Sequence, residues 1–375
     1  MNSLNKTILP GQTIGIVGGG QLGRMMALAA KAAGFKIAVL DPTPNCPCGQ
    51  VADIEITAAY NDLEGLRLLA DASDVITFEF ENVDAVALEW LQTNCYVPQG
   101  SELLKITQNR IREKQEIEKA GAIVAPYAVI TDVSEIYDTI EKLGYPSVLK
   151  TARGGYDGKG QLVIRDFGDI EKAKELLVQG VCVLESWVPF VKEISVIVSR
   201  NENGETAVFP VAENIHKDNI LHQSIVPARI SLEAEEMARK IALQLAGSMN
   251  LIGTLAVEMF LKEDDSIIIN ELAPRPHNSG HYTMEACETS QFEQHVRAVC
   301  NWQLGRTDLM RPVIMTNILG EHLDTLLNKI PTLPDWKIHL YGKAEAKEKR
   351  KMGHVNLMRE NVETAMMEVR ESGIW

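Results

Sequence analysis

A chain of 375 residues is longer than one hydrophobic core usually serves, about 250–300 residues, so two or three domains are expected. Hydrophobic residues make up 45% and charged residues 23%, which excludes a disordered chain, a collagen-like repeat or a disulfide scaffold. With 51 acidic against 37 basic side chains the formal charge is −14, so neither nucleic acid nor an anionic membrane is an expected partner; small anions in a local basic pocket stay open.

The segment MNSLNKTILPGQTIGIVGGG has no basic stretch leading into an apolar run, and no signal peptide is expected. The most apolar stretch, 241–261, is interrupted by Gln244, Asn250 and Glu258 and does not read as a membrane span. Cys46 and Cys48 form a C-x-C, and the other four cysteines lie far apart, without zinc spacing. They read as reduced, mostly buried thiols, and the expected compartment is the cytoplasm.

In chain order, TIGIV reads as a buried strand, 22–33 as a helix ended by Gly34, KIAVLD as a strand, NDLEGLRLLADAS as a helix and DVITFEF as a strand. That alternation predicts a parallel, doubly wound sheet of α/β type. A long helix is expected over 101–121, capped by Ser101 and stopped by Gly121. Beyond it, YPSVLK and GQLVIR are short strands around a glycine-rich stretch, and IEKAKELLVQG is a helix. VCVLESWV, KEISVIVSR and TAVFPVAE then read as antiparallel strands. An amphipathic helix over 232–250 precedes two strands joined by KEDDS. This second part is α+β in character. The last 65 or so residues show weak periodicity.

Gly18-Gly19-Gly20-Gln21-Leu22-Gly23 fits G-x-G-x-x-G between a strand and a helix, and Asp41 closes the next strand. A helix N-terminus there offers unpaired N–H groups to a phosphate, as in an NAD-dependent dehydrogenase. A close-packed turn without ligand fits the same residues. The segment 150–160, KTARGGYDGKG, lies between two strands and lacks the P-loop pattern. A glycine hairpin flanked by Lys150 and Lys159 suits folding over a triphosphate, although a mobile surface hairpin has similar composition. Glu258 and Glu271 flank the KEDDS turn symmetrically, so a hairpin would set them opposite each other on one sheet face. Two carboxylates in apolar surroundings repel unless a cation lies between them, and hard oxygen ligands beside phosphates describe Mg²⁺. Immediately after, LAPRPHNSGH projects Arg275, His277 and Asn278 from a proline-stiffened segment, an arrangement that would fix an anionic reactant beside a metal-bound phosphate. Lys343, Arg350 and Lys351 read from composition as a solvated face.

Taken together, GGGQLGRM, TFEFENV, NRIREK, LKTARGGYDGKGQ, ESWVPFVKE, NIHKDNI, the VEMF and NELAPRPHNSGH block and KRKMGHVNL resemble the ATP-grasp superfamily, and within it the family of 5-(carboxyamino)imidazole ribonucleotide synthases of purine biosynthesis. The resemblance implies a Rossmann-like N-terminal substrate-binding domain over 1–106. It implies an ATP-grasp domain over 107–310 with a small lid at about 121–186, and a small C-terminal β-rich domain over 311–375. The activity implied is the ATP-dependent carboxylation of 5-aminoimidazole ribonucleotide with bicarbonate, through carboxyphosphate, with ATP and Mg²⁺ as cofactors and a cytoplasmic homodimer as the assembly. Arg110 and Lys150 would contact the ATP phosphates, under a loop of Gly155, Tyr156, Asp157, Gly158, Lys159, Gly160 and Gln161. Glu185, Ser186, Trp187 and Val188 would line the adenine pocket, Glu193 would hold the ribose, His216 would be a further ATP contact, and Asn270 would adjoin the metal. Glu258 and Glu271 match the metal ligands. Gln21, Leu22, Glu79 and Tyr156 would meet the ribonucleotide, and Lys343, Arg350 and Lys351 would grip its phosphate, a reversal of their compositional reading. Arg275, His277 and Asn278 would hold bicarbonate or the carboxyphosphate made from it, and Asp157 would orient or deprotonate the amine. The nearest alternative is the formate-dependent glycinamide ribonucleotide transformylase family; Gln21, Asn278 and the GGYDGKG loop speak against it. A non-catalytic nucleotide-binding module would not need Glu258, Glu271 and Arg275.

Overall fold

Three sheets organise the chain in a computed structural model that describes residues 6–155 and 159–375. The first is built from β1 (Thr13–Val17), α1 (Gln21–Ala32), β2 (Lys36–Asp41), β3 (Ile54–Thr57), α2 (Leu63–Ala72), β4 (Val75–Phe78) and α3 (Ala85–Asn94). Its strands run parallel in the order β3-β2-β1-β4, with Ile14 opposite both Ile37 and Val75. Successive strand residues face opposite sides. Ile14 and Ile16 pack with Met25 and Met26 of α1, whereas Val17 and Leu40 pack with Leu66 and Leu69 of α2 and Leu88 and Leu91 of α3. The expected doubly wound sheet is therefore present, with one strand more than the sequence revealed. β3 escaped notice because IEIT is an edge strand that buries only Ile56.

The single helix expected over 101–121 is instead two, α4 (Glu102–Thr107) and α5 (Arg110–Lys119). The break lies where Asn109 caps the second helix, its Oδ1 accepting from the Ile111 N–H at 3.0 Å. Gln108 fastens the same point to the first unit by donating to the Glu81 and Val83 carbonyls at 2.7 and 2.8 Å. The interruption puts Arg110 in the first turn of a new helix, its N–H donating to the Ala152 carbonyl beside the glycine-rich loop at 3.0 Å.

The second sheet contains β5 (Tyr127–Ile130), β6 (Ser147–Thr151), β7 (Gln161–Ile164) and β8 (Cys182–Ser186) in the antiparallel order β5-β8-β6-β7. It is backed by α6 (Val133–Leu143) and by α7 (Lys174–Leu177). The helix expected at 170–180 begins as a 3₁₀ turn, Phe167–Ala173, and only its end is α-helical.

The third sheet is the largest. Its first strands are β9 (Lys192–Arg200), β10 (Thr206–Val208), β11 (Ala212–Lys217) and β12 (Ile220–Val226). The strand expected from TAVFPVAE splits into β10 and β11 around Pro210, which has no N–H for a ladder. Then come α8 (Leu232–Ser248), β13 (Gly253–Leu261), β14 (Ile267–Ala273), α9 (Thr283–Ala286) and α10 (Gln291–Val299). Helix α8 sets Ala238, Ala242 and Leu245 against Val196, Val198 and Val257 of the sheet, the two alanines allowing close approach. The C-terminal elements β15 (Val313–Leu319), α11 (Leu323–Lys329), β16 (Lys337–Leu340), β17 (Lys351–Met358) and α12 (Val362–Glu371) do not form a sheet of their own. β15 pairs with β12, so the strands continue in the order β14-β13-β9-β11-β12-β15-β17-β16. One continuous sheet thereby carries the Glu258 and Glu271 hairpin near one edge and the Lys351 strand near the other. Among the described residues no helix is long and apolar enough to cross a membrane.

Candidate active site

A cleft of about 830 Å³ opens between the three sheets, within the range of small-molecule sites. Asp41 and the glycines of the 18–23 turn do not line it, whereas every described residue to which the family resemblance gave a site role does. That holds for Gln21, Leu22 and Glu79 of the first unit, and for Arg110, Lys150, Gly155, Lys159, Gly160 and Gln161 around the loop. It holds for Glu185, Ser186, Trp187, Val188, Glu193 and His216 along the inner strands, and for Glu258, Asn270, Glu271, Arg275, His277 and Asn278. Lys343, Arg350 and Lys351 close the far end. Tyr156, Asp157 and Gly158 lie outside the described residues.

The glycine turn does not present its N–H groups to a ligand. Glu79, at the end of β4, accepts from the Gly20 N–H through one oxygen and from the Gly23 N–H at 2.6 Å through the other. Asp41 accepts from the Gly19 N–H at 2.8 Å and from the Tyr60 hydroxyl at 2.7 Å, so it is not placed to meet a dinucleotide ribose as the motif suggested. Carboxylates thus occupy the donors a pyrophosphate would need, which removes the physical basis of the dehydrogenase reading. Burial raises the Glu79 carboxyl above its ordinary value, against the lowering effect of these two backbone donors. The Cys46-Pro47-Cys48 loop packs on the turn, with the Cys48 N–H donating to the Gly19 carbonyl at 2.9 Å. A Cβ at Gly19 would stand 2.2 Å from the Cys46 sulfur, and one at Gly20 2.5 Å from a Glu79 oxygen. Gly19→Ala is therefore expected to lower stability by about 1–3 kcal/mol through overpacking. An earlier thermal transition would show it; an unshifted melt would mean that the loop yields freely.

On the inner strands, Glu185 bridges two lysines, Lys150 at 3.0 Å and Lys114 at 3.1 Å. Its burial alone would raise the carboxyl, but the two ammonium groups hold it below the ordinary value. Lys150 also reaches toward Asn270 Oδ1, at 3.5 Å. Ser186 turns its hydroxyl onto the Leu143 carbonyl, which fixes the strand end against α6. His216 and Glu193 face each other at 3.0 Å. Burial lowers the His216 ring, but Glu193 raises it further, so that the net direction is upward.

Glu258 and Glu271 are direct cross-strand partners, as the hairpin argument expected, though by a different route. The strands pair Leu261 with Ile267 and Met259 with Ile269, a register that would bring Asn270 opposite Glu258. A bulge at Asn270 shifts the pairing by one and sets Glu271 there instead. Each carboxylate already has an internal cation or donor: Glu271 faces Arg110 at 3.2 Å and Glu258 faces His277 Nε2 at 3.0 Å. Burial would raise Glu258, but His277 holds it below its ordinary value. A third carboxyl, Glu113, is buried behind them and accepts from the Leu272 N–H at 2.7 Å. Burial pushes it up to about 8, with Arg110 opposing and Glu271 adding. Among the described residues no three His, Cys, Asp or Glu side chains form a closed metal cage. An oxygen pair open to a cleft fits a hard divalent cation that completes its shell with phosphate oxygens and water.

Arg275 is held by Glu81 in a two-pronged pair, with Nη2 donating to Oε1 at 3.0 Å. Asn278 exchanges amide hydrogen bonds with Asn317 of β15, donating to its Oδ1 at 3.0 Å. The basic cluster is drawn together by the β16–β17 connection, where Lys343 donates to the Lys351 carbonyl at 2.7 Å. Gln50 of the first unit donates to the Gly342 carbonyl at 2.8 Å, tying that connection to the first unit. Sequence reasoning missed Glu81, Glu113, Lys114 and Asn317. The first three lie beside residues it did select, Glu79 and Arg110, but only the fold shows which way they point.

Family models match nearly the whole chain in succession: a ribonucleotide synthetase preATP-grasp domain over 11–108, an ATP-grasp domain over 115–292 and a phosphoribosylaminoimidazole carboxylase C-terminal domain over 313–368. The chain is 55% identical over 362 residues to N5-carboxyaminoimidazole ribonucleotide synthase of Bacillus subtilis (strain 168), covering 96% of this chain and 95% of that one. Among solved structures, an ADP complex of an N5-carboxyaminoimidazole ribonucleotide synthetase is 59% identical and superposes with a TM-score of 0.97 over 99% of both chains. An Aspergillus clavatus N5-carboxyaminoimidazole synthase in complex with ADP and 5-aminoimidazole ribonucleotide is 32% identical, with a TM-score of 0.90 over 96% of this chain and 97% of that one. With the Glu258–Glu271 hairpin, the Lys150 strand and the Arg275 segment all lining one cleft, these likenesses place the chain in the N5-carboxyaminoimidazole ribonucleotide synthase family of ATP-grasp ligases.

Proposed function

We propose that this enzyme uses ATP to convert 5-aminoimidazole ribonucleotide to N5-carboxyaminoimidazole ribonucleotide, with bicarbonate as the carbon source and ADP and phosphate as the other products. The observation that carries the reading is one cleft with cations for phosphates at both ends and the Arg275, His277 and Asn278 segment between them. The family membership and the nucleotide and ribonucleotide in the related complexes support it.

Bicarbonate is a poor electrophile, so one of its oxygens first takes the γ-phosphoryl group of ATP. Lys150 and Arg110, which line the cleft with Gly155, Lys159, Gly160 and Gln161 of the loop, would meet the phosphates. Arg275, His277 and Asn278 hold the bicarbonate in line. Glu258 and Glu271, with Asn270 beside them, would hold Mg²⁺, which when bound neutralises charge on the transferring group. The carboxyphosphate formed is labile, and closure of the loop shields it from water. The exocyclic amine of the ribonucleotide then attacks it, or attacks CO₂ released from it, and Asp157 orients or deprotonates that amine. Gln21, Leu22, Glu79 and Tyr156 meet the ribonucleotide, and Lys343, Arg350 and Lys351 hold its phosphate. In domain terms, 1–106 binds the ribonucleotide, 107–310 grasps ATP under the lid at about 121–186, and 311–375 supplies the phosphate grip. The family resemblance also supports a homodimer acting in the cytoplasm, which sedimentation of the purified protein would test for its assembly.

The direct experiment is ADP release from MgATP and bicarbonate, with and without 5-aminoimidazole ribonucleotide, beside formate with glycinamide ribonucleotide. ADP release that requires the aminoimidazole substrate is the expected result. Release only with formate would move the chain to the transformylase reaction, and no release in any mixture would leave a binding fold without this chemistry.

A further inference from the structure

His277 meets the cleft through Nε2, and its other ring nitrogen is held from inside the protein. Nδ1 lies 2.9 Å from the Ser279 hydroxyl. A line of buried polar groups continues from there through the large sheet. Ser195 of β9 donates to Ser279 Oγ at 2.8 Å, the Asn214 amide of β11 donates to Ser195 at 2.9 Å, and Ser224 of β12 donates to the Asn214 carbonyl at 2.8 Å. All four side chains are buried.

One member of this line has a fixed role. The Ser279 backbone N–H also points at Nδ1, at 3.3 Å, and a backbone N–H can only donate. Nδ1 is therefore an acceptor, and the Ser279 hydroxyl, already accepting from Ser195, directs its own hydrogen there as well. The polarity then runs without conflict from Ser224 to the ring. With Nδ1 accepting, the ring hydrogen sits on Nε2, the nitrogen that faces Glu258 and the cleft at 3.0 Å. Gln291 of α10 fixes the backbone of the same residue, its Oε1 accepting from the His277 N–H at 2.9 Å and its Nε2 donating to the His277 carbonyl at 2.8 Å.

We propose that Ser279 is a positioning residue that holds His277 as the Nε2–H tautomer, so that the ring keeps its one hydrogen on the cleft side, where it meets Glu258 in this structure and would turn to the bound anion, and does not serve there as a base. A bare ring nitrogen in that place would repel bicarbonate. The inference rests on the carboxylation reading, in which Arg275, His277 and Asn278 receive bicarbonate.

The test reads tautomer and kinetics separately. Long-range ¹H–¹⁵N correlation spectra of the full chain labelled in histidine, with His277→Gln to identify the signals, should show Nδ1 bare and Nε2 protonated. Ser279→Ala should give a mixture of tautomers and lower kcat/KM for bicarbonate by about tenfold or more. The KM values for ATP and the ribonucleotide should change little. Ser279→Thr, which keeps a hydroxyl, should retain the tautomer and most of the bicarbonate activity. If Ser279→Ala does not fold, Ser195→Ala removes the next link and should shift both readouts the same way by less. An unchanged tautomer in the alanine variant, or an equal loss for all three substrates, overturns the proposal, as does a wild-type ring protonated on Nδ1. The expected tautomer in a protein without bicarbonate-dependent turnover would instead remove the carboxylation reading beneath it.

Discussion

Replacing Glu271 with alanine is expected to lower ADP release by about 10²–10³-fold, the range for removing one group aimed at developing charge, while the protein still folds. Two features make Glu271 the better probe of the carboxylate pair. Its side chain is 41% exposed, and its partner Arg110, at 3.2 Å and 18% exposed, keeps the carboxylates of Glu113 and Glu185 nearby when Glu271 is removed. Glu258, by contrast, is 17% exposed and meets the His277 ring, so its removal would disturb a buried donor as well as the proposed metal site. ADP production and thermal melting, measured on the same preparation, separate the two effects. A near-normal rate in Glu271→Ala would sink the metal assignment. A collapsed melt would instead mean that the hairpin depends on the Arg110 pair for its fold.

That carboxylate pair also shows how far the sequence could be read. Symmetry about the KEDDS turn led to the right cross-strand partners, but the hairpin is centred differently, and a bulge at Asn270 restores the match. Single-residue bulges leave no periodic trace, so agreement here depended on a feature the pattern did not contain. The glycine turn was legible as a strand-to-helix junction and misleading as a ligand site. Its donors are taken by Glu79, 59 residues from Gly20, and by Asp41, long-range pairings that local motifs do not encode. The break at Asn109 could have been seen, since Asn before a helical run is a capping signal, yet the strong helix formers on either side masked it. Ser279, Gln291 and Asn317 look like ordinary polar residues in the sequence. Only burial and the crossing of three strands reveal them as the groups that set His277 and Asn278. The cleft-lining residues were legible through resemblance, because their motifs are contiguous, whereas the groups that orient them come from distant segments.

The basic cluster supplies the second large effect. Composition alone would leave Lys343, Arg350 and Lys351 as a solvated face, but the β16–β17 connection folds them onto the cleft, with Lys343 donating to the Lys351 carbonyl and Gln50 of the first unit fixing Gly342. Lys351 opens β17 and is half-buried, as is Lys343, whereas Arg350 is exposed and donates to the Glu345 carbonyl at 2.9 Å. A charge-assisted hydrogen bond to a phosphate contributes about 1.5–3 kcal/mol, and 1.4 kcal/mol is about tenfold in affinity. Lys351→Ala should therefore raise KM for 5-aminoimidazole ribonucleotide by about 10–100-fold and leave KM for ATP nearly unchanged, with Arg350→Ala showing a smaller shift in the same direction. Because Lys351 lies near one edge of the sheet and the Glu258–Glu271 hairpin near the other, a true phosphate contact and a general loosening of the cleft predict different patterns. A rise confined to the ribonucleotide assigns the phosphate to this end. Equal rises for both substrates would mean that the cluster supports the sheet edge and that the phosphate is held elsewhere in the cleft.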